Sequence, residues 1–175
     1  MKTKFQWWKW FAVWGFFLLL HFSYDIFPSK VILIFGEQSE AVVTHMKMVM
    51  WAYLFASAIE FFLHRKKLES VGQFAYTRLL VAIVLPWLAI TIWHTAIAMG
   101  ILLPEIPWEI VYANITTALG IYVGLRLEEA LDQIIYYRPA LKAVIIMMFL
   151  ITLLTYISFS FSVPPGYSNY FYWGP

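Results

Sequence analysis

Apolar residues fall in long unbroken runs along this chain. They do not form the alternating or three-and-four-spaced stripes of a strand or helix with one watery face. Five runs reach the ~20 mainly apolar residues that a helical membrane span requires; they lie at about 8–27, 39–63, 76–103, 107–125 and 139–162. Their ends are marked. Pro28 stops the first, and His64-Arg65-Lys66-Lys67 stop the second. Pro139 opens the last, at a first-turn position where the ring costs no backbone bond. Pro86, inside the third, removes one backbone donor and predicts a kink. The aromatic tail over 163–175 is too broken by Pro and Gly to continue as helix. No internal repeat and no separate soluble stretch interrupts the series. The pattern predicts a single all-α domain, a polytopic bundle of about five transmembrane helices.

Composition supports that class. Of the 175 residues 62% are hydrophobic and 13% charged, and the mean hydropathy is +0.73. Soluble domains carry roughly 25% charged residues, so lipid is the natural cover for this surface and the cell membrane the expected location. A formal net charge of +2, with no Lys/Arg run that resembles a nucleic-acid footprint, argues against nucleic acid. The absence of cysteine excludes disulfides, thiolate metal sites and cysteine nucleophiles. The N-terminal run begins like a signal peptide but ends in bulky aromatics with no small-x-small cleavage site, so it reads as a retained first span.

Lys/Arg placement orients the bundle. With the N-terminus cytoplasmic, ten cations (Lys2, Lys4, Lys9, Arg65, Lys66, Lys67, Arg78, Arg126, Arg138 and Lys142) lie on the inner side and two, Lys30 and Lys47, outside. The C-terminus is then outside. Trp7, Trp8, Trp10 and Trp14 fit an inner aromatic belt, and the tail from Tyr167 to Trp173 fits an outer one. The loop from Leu125 to Tyr137 reads as a short surface helix, with Glu128, Glu129 and Asp132 as a solvated face. Gly120 and Gly124 form a G-x-x-x-G, continued by Ala113 and Thr117, whose small residues allow close helix packing within the bundle or between two copies.

The same topology gathers polar residues in the outer half. His21 and Asp25 sit four apart near the end of the first span. Glu40, His45 and Lys47 open the second, His94 lies roughly 13 Å below the outer end of the third, and Asn114 sits two turns into the fourth. At 100° per residue Glu40 and Lys47 lie within about 20° of each other, and His45 points about 140° away from Glu40. Each has a plain explanation. Ser39 is a good N-cap with Glu40 in the first turn, Lys47 can snorkel outward, and His94 can order the bundle by an interhelical hydrogen bond. Ionisable groups in spans nonetheless usually face a bundle interior or a wet cavity, and the shared depth suggests a binding cluster. Glu60, on the inner side and four residues before His64, reads as half of an inner-interface ion pair.

The order of these features resembles a family of small bacterial and archaeal integral membrane proteins of unknown function, the DUF6512 type. Three segments carry the likeness: "HFSYD" closing the first span, "SEAVVTHMK", and the Pro-Pro tail "FSVPPGYSNYFYWGP". Members carry a segment like N-E-S-x-W-E-H-x-K, which Glu40, His45 and Lys47 match. Ser39 replaces the Asn, Val43 the Trp and Thr44 the second acid, which argues against carboxylate-pair chemistry here. The resemblance implies a polytopic membrane fold and no particular activity.

Three function classes fit. The first is a ligand- or ion-binding component, or a subunit of a membrane complex, with lipid and other membrane proteins, or a second copy through the Gly120–Gly124 face, as partners. The second is a membrane-embedded metal-dependent hydrolase, with His21, Asp25, His45 and His94 around a divalent metal such as zinc and Glu40 as general base. No H-E-x-x-H supports it. The third is a proton-coupled carrier using Glu40, His45 and Lys47 as a relay. Whether the protein is an enzyme is open at this level.

Overall fold

The computed structural model describes residues 6–36, 41–100, 106–133 and 136–161. Helix covers 87% of them and no strand occurs among them. The first helix, α1 (Trp7–His21), stops well before the expected boundary at Phe27. Beyond it the Ser23 hydroxyl donates to the Leu20 carbonyl at 2.7 Å, a side-chain bond that competes with the helical ladder. Two short helices follow, α2 (Ser23–Ile26) and α3 (Lys30–Phe35), with Pro28 between them. Ser29 caps α3 by accepting from the Ile32 amide at 3.2 Å. Gly36 then lies so close to the end of α1 that a Cβ there would collide with Ser23 Oγ and come within 2.8 Å of the Leu20 carbonyl oxygen. The end of α3 therefore lies beside the end of α1, while α3 itself packs on α2 and α4.

Four longer helices follow: α4 (Val42–His64), continued by a 3-10 turn over Arg65–Lys67, α5 (Val71–Ala98), α6 (Ile106–Leu131) and α7 (Pro139–Phe159). Each of these four is long and apolar enough to cross a membrane. The 15 residues of α1 span roughly 22 Å, less than the ~30 Å of a hydrocarbon core. Other boundaries also differ from expectation. Ser39 and Glu40 lie outside the described residues, and Ala41 holds the N-cap position of α4. Helix α5 begins five residues earlier than the expected Tyr76, runs on through Pro86 and gives way to Gly100 at φ +71°, a left-handed turn suited to glycine. The proposed surface helix after Leu125 is no separate element: α6 continues through it to Leu131. The tail over 163–175 is outside the described residues.

Helix α4 holds the centre. It packs on α1 and α5, while α5 packs on α6 and α7. Val13, Phe17, Met46, Met50, Tyr53, Val81, Leu85 and Ile121 make up much of the core. Gly120 lets the backbones of α6 and α5 approach closely, since a Cβ there would lie 2.6 Å from the Ala89 Cα of α5. Gly124, one turn on, faces the Leu85 side chain. Helix α7 is the opposite case, burying Ile145 and Tyr156 and leaving Leu150, Ile151 and Leu154 at least half exposed. Water would penalise such a surface and lipid would not.

Candidate functional site

Two polar groupings stand at opposite ends of α4. At its start, the end of α1 brings the His21 ring to 5.5 Å from the ring of His45, centroid to centroid. Phe17 stacks on His21 from one turn below. The His45 Nδ1 lies 3.0 Å from the Ala41 carbonyl, which also accepts from Thr44 Oγ1 at 2.6 Å. Lys47 is only 2% exposed. Its ammonium donates to the Leu33 carbonyl of α3 at 2.6 Å and to Ser160 Oγ, just past α7, at 2.9 Å. A buried ammonium must be hydrogen-bonded to be tolerated. Here those bonds tie α3, α4 and the end of α7 together.

The remaining outer residues do not join this group. His94 is exposed and its Nδ1 pairs with the Ile90 carbonyl of its own helix at 2.9 Å. The amide of Asn114 likewise donates to Ile110, one turn back, at 2.9 Å. Asp25 stands exposed on α2. Glu40 is outside the described residues. Among the described residues no three His, Asp or Glu side chains come together as a group that could hold a metal ion.

The other end of α4 holds a larger cluster. Lys9, fully buried in the first turn of α1, donates to Glu60 and, at 2.7 Å, to Glu128. Arg78 of α5 donates to Glu60 through Nη2 at 2.7 Å and Nε at 3.2 Å, and also pairs with Asp132. Its Nη2 lies 3.4 Å from Glu128. The Tyr53 hydroxyl donates to Glu128, and Gln6 Nε2 to Glu60 at 3.0 Å. Four helices are thus joined through ions withdrawn from solvent, and every carboxylate oxygen of Glu60 and Glu128 has a partner. Such a cluster holds helices in register because leaving any member unpaired is costly.

This end corrects two expectations. Glu60 pairs with Lys9 and Arg78, not with His64 or Arg65; the His64 ring bonds only to the Glu60 backbone carbonyl at 3.1 Å. Glu128 is not part of a solvated face, at 4% exposed; Asp132 and Glu129 are partly exposed, with side chains at 25% and 19%, and pair with Arg78 and Arg126. A signal for the cluster was present. Lys9, Glu60 and Arg78 each interrupt an apolar run at the same depth, and Glu128 and Asp132 sit four apart on one helical face. Comparison with known proteins adds no relative: no family model, curated protein or solved structure matches this chain.

Proposed function

We propose that the chain is a multi-pass cell-membrane protein with five spans, a cytoplasmic N-terminus and an outer C-terminus. In this reading it is a non-catalytic component of a membrane complex that binds a small ion or polar ligand at its outer end. Membership of the DUF6512-type family is part of the same proposal. Helix α1 is the fifth span. It runs beside α4 from the Lys9–Glu60 contact to the His21–His45 contact. Those contacts lie about 15 residues, roughly 22 Å, apart along α4.

The observation that carries the binding role is the pairing of His21 with His45, two imidazoles on different helices 5.5 Å apart. Imidazole is the commonest protein ligand for transition-metal ions, so a facing pair suits ion capture. Lys47 secures the neighbouring α3 and the end of α7 around it.

Elemental analysis of detergent-purified protein, isolated without a polyhistidine tag, tests the ion. The expected result is a stoichiometric metal in the wild type that is lost in both His21→Ala and His45→Ala. Wild-type protein that remains metal-free after incubation with zinc would overturn the ion role and leave the complex-subunit role to be tested by co-purification.

A further inference from the structure

The cluster around Glu60 has a counterpart on the surface at the same end of the bundle. Glu60, Glu128 and Asp132 are taken up by Lys9 and Arg78, and Glu129 by Arg126. Among the described residues the remaining cations there are Arg65, Lys66, Lys67, Arg138 and Lys142, and none has a carboxylate partner among those residues. Only Glu69, itself exposed, opposes them. Glu60 and Glu128 are buried around Lys9 and Arg78, while Arg65, Lys66, Lys67 and Arg138 stay exposed.

We propose that this rim is a binding surface for anionic phospholipid headgroups. Charge complementarity selects the headgroup, and the adjoining apolar faces select a lipid over a free anion. Phe62 and Leu63 beside the Arg65–Lys67 turn are 66% and 64% exposed, and Leu141 and Val144, which flank Lys142, are 45% and 43% exposed. The Lys142 ammonium is held 5.3 Å from the centroid of Tyr76 and 5.2 Å from that of Tyr136. Two aromatic rings beside a cation at the mouth of an apolar helix suit the depth of a glycerophosphate. The inference rests on membrane insertion. It does not depend on the outer-end ligand or on which side of the membrane the rim faces.

The test uses the full chain reconstituted in phosphatidylcholine vesicles, with its own tryptophans as reporters. Quenching by brominated phosphatidylglycerol is compared with quenching by brominated phosphatidylcholine. The wild type should prefer the anionic lipid severalfold, and the preference should shrink as salt rises. Each removed cation should lower it by about fivefold at most, so Arg138→Gln/Lys142→Gln and, separately, Arg65→Gln/Lys66→Gln should both reduce it. Lys30→Gln, at the other end, should leave it unchanged. Equal quenching by the two lipids in the wild type overturns the proposal without any variant being needed. Abolition of the preference by millimolar inorganic phosphate overturns it in favour of a soluble anion. An equal loss in Lys30→Gln overturns the assignment to this rim.

Discussion

Replacing Lys9 with Met should destabilise the protein more than replacing Glu60 with Gln, although the two groups share a bond. The cluster formally holds two cations, Lys9 and Arg78, and three carboxylates, Glu60, Glu128 and Asp132. Lys9→Met leaves Glu60 and Glu128 facing each other with Arg78 alone to neutralise them and Asp132. Breaking a buried pair in this way costs about 3–5 kcal/mol. Glu60→Gln keeps the shape and one acceptor oxygen and leaves two cations against two carboxylates, so the loss is that of weakened charge-assisted bonds, about 1–2 kcal/mol. At 2–4 °C per kcal/mol for a chain of this size, the midpoints should fall by roughly 10 °C and roughly 4 °C respectively. Thermal unfolding in detergent, followed by the fluorescence of the nine tryptophans, reads both. The double variant should recover part of the Lys9→Met loss, because it restores the native imbalance of one negative charge. A reversed order, or a fall under about 2 °C for Lys9→Met, would refute the claim that this cluster holds the helices together.

Three further outcomes follow from other contacts. Gly120→Val drives a side chain into the Ala89 backbone and should cost about 1–3 kcal/mol, whereas Gly124→Ala meets only the Leu85 side chain and should cost less; the same melting assay compares them. The natural chain has no cysteine, so single introduced thiols report orientation cleanly. Lys30→Cys should react with an impermeant maleimide on intact cells and Lys66→Cys only after permeabilisation, and the opposite pattern would invert the proposed topology. Lys47→Met removes the donors to Leu33 and Ser160, and amide exchange over Lys30–Phe35 should accelerate by about tenfold; unchanged exchange would mean that α3 is held by other contacts.

The four helices long and apolar enough to cross a membrane were legible because that property depends on summed hydrophobicity. The end of α1 was not, because the interruption comes from Ser23 bonding back to Leu20 and from Gly36 closing against it, neither of which alters the apolar count. Glu128 misled for a different reason. Its partners, Lys9 and Tyr53, lie 119 and 75 residues away, and a charged residue next to Glu129 and Asp132 looks solvated until those partners are placed. Around the start of α4, depth suggested which residues could meet, but depth says nothing about azimuth. His21 and His45 face each other, while His94 and Asn114 bond back to their own helices.

The bond between Lys9 and Glu128 also bears on how the protein is made. The ammonium leaves the ribosome early, within the first helix, and the carboxylate follows 119 residues later. At 5–20 residues per second, that interval is roughly 6–24 s. For the first 51 residues of it the Lys9 ammonium has no carboxylate of this cluster, and after that it has Glu60, which Arg78 then shares. Closure of the cluster is therefore a late event of biogenesis: until Glu128 emerges, Lys9 and Arg78 have Glu60 alone between them.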